Sequence, residues 1–111
     1  MSEPAAPQAD SKRVAYLDLV DRVRHGAGRA DPELRDRAFH GVGLPSAVQT
    51  VIDQVTTRPN TLTDGDFAAA TVAGFTEDQL FELVICAAVG RSTRLYEAGM
   101  AALDAALREE E

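Results

Sequence analysis

One cysteine, two closely spaced arginines and two histidines are the residues of this sequence that could do chemistry. Cys86, the only cysteine, lies in the apolar run FELVICAAVG. A thiol reacts as its thiolate, and a free cysteine keeps a pKa near ~8.5 unless a neighbouring cation lowers it. No Lys, Arg or His stands within three residues of Cys86. We therefore expect a buried, unreactive thiol, since free cysteine is among the most buried residue types.

Arg91 and Arg94 follow the apolar run at a spacing of three, which places both on one side of a helix. Such a pair could grip a carboxylate by bidentate hydrogen bonds, so a small anionic ligand is one predicted partner. The same side chains could instead pair with Glu82, Glu97 or Asp66, or with an acidic face on a second subunit. We favour this structural role, and we keep Arg94 as the better candidate of the two for function.

His25 and His40 each stand directly before a glycine, where a helix is predicted to end. A cationic histidine interacts well with the negative end of a helix, which gives both residues a structural explanation. Two histidines without a carboxylate at ligand spacing make a poor metal site. The sequence therefore predicts no metal and no cofactor, and leaves His40 as a candidate for moving protons in an enzyme.

The composition predicts one globular domain that avoids nucleic acids and membranes. The chain has 111 residues, 45% of them hydrophobic and 26% charged, and a net charge of −7. A surface of this sign repels phosphate backbones and anionic lipid heads. No apolar stretch reaches the ~18 residues that span a bilayer, and the first residues do not form a secretion signal. With one cysteine no internal disulfide can form, so we expect a cytoplasmic protein.

Two helices are predicted in the N-terminal half, after a disordered tail over residues 1–10. Residues 11–111 then form a single domain. The first helix begins at Ser11, carries an apolar face of Val14, Leu17, Val20 and Val23, and ends at Gly26. The second helix is shorter. Asp31 is its predicted N-cap, Pro32 suits the first helical position, and Gly41 ends it.

Three more helices are predicted in the C-terminal half. The segment with Val48, Val51, Ile52 and Val55 is rich in β-branched residues, and a strand would be defensible, but its spacing favours a helix that ends before Pro59. The next helix is predicted between its N-cap Thr63, with Asp66 three residues on, and Gly74. Thr76 and Gln79 then predict the start of a long helix from Glu77 to about Arg108.

This long helix carries a seam of apolar and small residues at steps of four and three, the spacing of helix association. The apolar run before Gly90 covers every face of the helix, which marks that half as central, whereas the half after Arg94 is amphipathic. We therefore predict an all-α bundle of about five helices that forms a homo-oligomer through this helix. The predicted contacts are Phe81, Ile85, Ala88, Leu95 and Gly99.

The C-terminal half, from about residue 48 to 108, resembles the carboxymuconolactone decarboxylase and alkylhydroperoxidase D (AhpD-like) superfamily. Peroxidase-related members have a helix that ends in T-R-x-P, a V-T-x-x-D turn and an A-G-[FL]-[ST]-[DE]-[DE] junction into the long helix. The matching residues here are Thr57 with Arg58 and Pro59, then Leu62 with Thr63 and Asp66, then 73–78. The resemblance implies an AhpD-like helical bundle.

The resemblance also extends to a polar spot of the type N-x-x-N-R-[LV], which corresponds here to GRSTRL. Arg94 and Leu95 agree with it, but Gly90 and Thr93 replace both asparagines. Redox members carry a Cys-x-x-Cys pair followed by a histidine on an earlier helix, because one thiol attacks and the other resolves the intermediate. A chain with one cysteine lacks that dithiol, so peroxidase activity of this kind is excluded.

Two functional hypotheses follow from the resemblance and from the missing dithiol. The first is a non-catalytic AhpD-like subunit for oligomeric interaction or small-ligand binding. The second is a small decarboxylase-type enzyme in which Arg94, with Arg91, orients an anionic substrate and His40 or a carboxylate moves protons. A third interpretation, a toxin–antitoxin or regulatory partner, rests only on small size and acidity.

Overall fold

The computed structural model describes residues 6–109, with side chains from Ser11 onward. It confirms an all-α fold with a long C-terminal helix, since this part of the chain forms five α-helices and no strand. Their bounds are α1 Ala6–His25, α2 Pro32–His40, α3 Ser46–Thr57, α4 Asp64–Val72 and α5 Glu77–Glu109. A single 3₁₀ turn, Pro59–Thr61, links α3 to α4. None of the helices in the described range is both long and apolar enough to cross a bilayer.

Both ends of α2 and the starts of α4 and α5 lie where local sequence signals place them. Asp31 caps α2 by accepting a hydrogen bond from the Glu33 amide at 2.8 Å. Gly41 ends α2 with φ of 79°, a left-handed conformation that glycine adopts without strain. The predicted capping pairs are also present, Thr63 with Asp66 at α4 and Thr76 with Gln79 at α5. Residues at the helix ends therefore determine where these turns begin and end.

Helix α1 differs from its prediction at the N-terminal end. It begins at Ala6 and not at Ser11, and Pro7 lies in its first turn, where a missing N–H costs nothing. Residues 1–5 of the predicted tail lie outside the described residues. The helical part of the chain is thus longer than the N-cap signal at Ser11 indicated.

The core is built where α2, α3 and the first half of α5 meet. Val48, Val51 and Ile52 of α3 are buried, which confirms a helix for this β-branched segment. Leu83 and Cys86 of α5 are buried against them. All the buried residues of α5 fall between Leu80 and Gly90, so the apolar run is central as predicted.

The first half of α1 and the second half of α5 extend beyond this core as two neighbouring helical arms. Val20 is buried, but Val14 and Leu17, predicted on the same buried face, are half-exposed. Every residue from Arg94 to Glu109 is exposed. Much of the apolar surface of both arms is therefore not covered by the residues that the structure describes.

Candidate functional site

The C-terminal end of α2 lies directly on α5, and Arg94 holds it there. The Phe39 carbonyl is so close to Gly90 that a Cβ on Gly90 would lie 2.7 Å from the Phe39 carbonyl carbon. The Arg94 Nη1 donates to the oxygen of the same carbonyl at 2.6 Å. Carbonyls in the last turn of a helix have no partner within the helix, and a cation there also complements the helix dipole. Arg94 thus caps α2.

His40 is engaged in the same last turn of α2. Its Nδ1 donates to the Asp36 carbonyl oxygen at 2.9 Å and lies 3.8 Å from the Asp36 carboxylate. Asp36 in turn accepts from the Arg24 Nη2 at 2.7 Å, and the Arg24 guanidinium lies 4.3 Å from the centre of the Phe39 ring. The hydrogen bond from Arg24, supported by the nearby His40, holds the pKa of the Asp36 carboxyl below its ordinary value.

We expect the chain to lose stability in acid partly through Asp36. A lowered pKa means that the folded chain binds this proton less readily than the unfolded chain. The stability from Asp36 is therefore present above the ordinary carboxyl pKa and is lost as pH falls through the lowered value. Thermal unfolding of wild type and Asp36→Asn from neutral pH to strong acid should show a shallower acid loss in the variant. Equal slopes in both proteins would contradict this prediction.

The three candidate catalytic residues do not line a shared cavity in this structure. Arg94 and His40 both lie at the end of α2, but each is bound to a backbone carbonyl. Arg91 is exposed on α5, with no hydrogen bond or ion pair to the rest of the described chain. One groove at the described surface is lined by α1 alone and another by α1 with the second half of α5, and none of these candidates lines either of them.

Replacing Arg94 with alanine should lower the free energy of unfolding by about 1–2 kcal/mol, because the Phe39 carbonyl loses its side-chain donor. Arg58→Ala, at an exposed position outside α5, is the control, and it should change that free energy by less than about 0.5 kcal/mol. Urea denaturation followed by circular dichroism measures both. Equal effects at the two positions would show that Arg94 does not cap α2.

Cys86 lies under α1, next to the turn between α1 and α2. It is 1% exposed, and its Sγ lies 3.3 Å from the Val23 carbonyl oxygen, to which it donates. Burial raises the pKa of the thiol above its ordinary value; the charges of Arg35 and Arg24 oppose that shift, and the charge of Glu82 adds to it. The structure therefore agrees with the expectation of an unreactive thiol.

We expect Cys86 to react with a thiol reagent only when the chain opens. Labelling of the native protein by a chromogenic disulfide should be at least about two orders of magnitude slower than labelling in concentrated urea, because it requires local unfolding. The raised pKa further slows the reaction near neutral pH, since less thiolate is present. Comparable native and unfolded rates would contradict the buried position.

Glu82 and Arg35 organise the turn between α1 and α2, and no local sequence pattern indicates either role. The Glu82 carboxylate accepts from the Arg29 amide at 2.8 Å and from the Ala30 amide at 2.5 Å. Arg35, 4% exposed, donates from Nη1 to the Gly26 carbonyl at 2.7 Å, while its Nε has no partner among the described residues. The packing of Gly28 against both side chains leaves little space for a ligand.

A groove of about 650 Å³ separates the two helical arms. Its lining is largely apolar and comes from Tyr16, Leu17, Val20, Ser92, Thr93 and Tyr96, with Lys12, Arg13 and Glu97 at its edge. Thr93 donates to the Val89 carbonyl, so the Tyr16 hydroxyl donates to the Thr93 Oγ1, at 2.5 Å. The rings of Tyr16 and Tyr96 are 6.2 Å apart. This bond fixes the distance between the arms while the groove stays open.

No family model, no curated protein and no solved structure matches this chain. Within residues 6–109, no group of three or more His, Cys, Asp and Glu side chains is arranged to hold a metal ion. The polar side chains described above mainly hold α2 and its preceding turn on α5. The exposed apolar surface of the arms is the feature that the fold itself does not use.

Proposed function

We propose that this chain is a non-catalytic, AhpD-like helical subunit that works by protein–protein interaction and associates with a second copy of itself through α5. The exposed apolar face of the arms carries this proposal. Five large side chains of α5 after Arg94 are between 47% and 59% exposed. They are Leu95, Tyr96, Met100, Leu103 and Leu107. Scattered apolar residues are normal on a surface, but a continuous apolar helix face marks an interaction site.

The dimensions of the chain support the same proposal. Its radius of gyration is 17.6 Å, whereas a compact domain of this length has roughly 13 Å. Its accessible surface is 7753 Å², against roughly 6,000 Å² for a compact monomer of this mass. The arms are responsible for the elongated shape, since they extend beyond the core. A partner that covers them would return the exposed surface to an ordinary value.

The predicted contact residues of α5 are positioned for such an interface, although Ile85 is half-buried within the chain. Phe81 and Leu95 are largely exposed, Ala88 is exposed, and a Cβ added to Gly99 would meet no atom within 4 Å.

The decarboxylase-type alternative has less support, because Arg94 is bound to the Phe39 carbonyl and does not line the groove between the arms.

Measurement of mass in solution tests the proposal. Sedimentation velocity over a wide range of protein concentration should give a mass of at least twice 11.9 kDa. A strict monomer at every concentration would overturn self-association. In that case a thermal-shift screen of small carboxylic acids tests the ligand-binding alternative, since Lys12 and Arg13 stand at the edge of the groove.

A further inference from the structure

We infer that the second copy binds antiparallel along the second half of α5, with the two-fold axis near Gly99, so that the end of the partner's α5 closes the groove between α1 and α5. This inference rests on the self-association proposed above and specifies its geometry. It narrows the interface to the arms, and it leaves Phe81 and Ile85 outside the contact between the two α5 helices.

The exposed surface is large enough for a stable dimer of this kind. A standard interface buries about 800 Å² on each partner. The accessible surface of the whole chain, 7753 Å², exceeds that of a compact monomer by more than this requirement, and the exposed apolar side chains of α5 contribute to the excess. The first half of α5 packs one side on α2 and α3, whereas every residue from Arg94 to Glu109 is exposed, so we assign the partner to the second half.

Gly99 is the point where the two helices can approach most closely. The exposed large apolar side chains in the second half of α5 run from Leu95 to Leu107, and Gly99, which has no side chain, lies within that stretch. Ala102 and Ala106 follow on the same face at helical spacing. Small residues at a crossing point let two helix backbones come together, and the larger side chains beside them then interlock.

The charges on α5 favour the antiparallel direction. Arg91 and Glu109 are separated by 18 residues, which is about five full turns, so both lie on the same edge of the helix. Both are exposed, and neither forms an ion pair with the described residues. An antiparallel pair that crosses near Gly99 places Arg91 close to Glu109 of the partner subunit, twice by symmetry. A parallel pair would oppose like charges.

In this antiparallel register, side chains of one copy occupy the groove of the other. Residues on either side of the axis meet at equal distances from Gly99, so Ser92 lies opposite Ala106 of the partner subunit. The neighbouring large side chains Leu103 and Leu107 are both about half-exposed. In the dimer they enter the partner's groove beside Leu17 and Tyr96, where the lining is mainly apolar. Each groove is incomplete without the other copy, and each copy contributes the residues that close it.

Cross-linking through single introduced cysteines tests the direction and the register. The native Cys86 is 1% exposed, so it competes little for a short bis-maleimide, and the wild-type protein is the background control. Gly99→Cys has space for its side chain and should cross-link efficiently into dimers. Ala88→Cys should not, because the two copies of residue 88 would lie about 33 Å apart along the helices. A parallel pair would cross-link at both positions.

A charge placed in the groove gives an independent test. Leu103→Glu should weaken the dimer by at least about a hundredfold, because each copy would bury an unpaired carboxylate. Val72→Glu is the matched control on α4, where Val72 is 89% exposed and away from the arms, and it should leave the dissociation constant unchanged. Sedimentation measures both.

The outcomes separate this inference from the proposed function. A wild-type dimer that survives Leu103→Glu, or that cross-links through Ala88→Cys, overturns the antiparallel geometry but leaves self-association standing. Failure of Gly99→Cys to cross-link in a protein that is still dimeric overturns it as well. A wild-type protein that is monomeric at every concentration overturns both statements.

Discussion

Replacing Gly90 with alanine should lower the free energy of unfolding by about 3 kcal/mol or more. The added Cβ would lie 2.7 Å from the Phe39 carbonyl carbon and 3.0 Å from its Cα, and closer still to the carbonyl oxygen. All of these atoms are backbone, so no side chain can rotate away. Helix α2 must instead move off α5, which breaks its most extensive contact and removes the Phe39 carbonyl from Arg94.

Gly65→Ala is the control for the general effect of replacing a helical glycine. Gly65 lies in the first turn of α4, and the nearest atom to its added Cβ is the Thr63 Oγ1 at 3.6 Å, an ordinary contact. Alanine there should stabilise the chain by about 0.5–1 kcal/mol, because it restricts the unfolded state. Urea denaturation measures both variants. A Gly90→Ala protein as stable as wild type would show that α2 does not pack on α5 in this way.

The two positions where the sequence departs from the AhpD-like polar motif both have structural roles in this chain. Gly90 admits the Phe39 backbone, a position that no asparagine could occupy without displacing α2. Thr93 accepts the Tyr16 hydroxyl and so joins the arms. Arg94, which agrees with the motif, caps α2. A role carried over from a motif therefore has to be tested against the neighbours that this particular chain supplies.

The helices and their ends were predictable because their signals are local. Asp31 bonds the amide two residues on, and the capping pairs at α4 and α5 are three residues apart. Apolar spacing also identified α3 as a helix despite its β-branched residues, because Val48, Val51 and Ile52 share one face. Each of these features depends on a few neighbouring residues, which the sequence displays directly.

The contacts between helices were not predictable, because they depend on which helices become neighbours. Glu82 meets the Arg29 amide across 53 residues, and nothing near Glu82 in the sequence indicates that partner. Arg35 of α2 is charged, yet its side chain is buried against the turn between α1 and α2. Val14 and Leu17 show the opposite case, since their periodicity predicted burial but the arm they lie on extends past the core. Apolar periodicity identifies a helix face that needs to be covered. It does not tell whether the covering surface comes from the same chain or from a second one.

Glu82→Ala should lower the free energy of unfolding by about 2–3 kcal/mol, because two backbone amides lose a charged acceptor. The Ala30 amide is the more costly of the two, since Ala30 is only 4% exposed and water cannot easily replace the carboxylate. Glu77→Ala, at an exposed position in the first turn of the same helix, should cost less than about 1 kcal/mol.

Glu82→Gln distinguishes the hydrogen bonds from the charge. The amide oxygen of glutamine can still accept from the backbone, but it carries no charge and the NH₂ group cannot replace the second carboxylate oxygen, so the loss should be intermediate. Amide hydrogen exchange adds a local measurement, in which Arg29 and Ala30 should lose protection in Glu82→Ala while the amides of α3 keep theirs. Equal loss across all helices would mean that Glu82 supports the whole bundle and not this turn. A local loss would mean that a single carboxylate on α5 holds the turn between α1 and α2 in place. It would also explain why that turn stays packed over the buried thiol of Cys86.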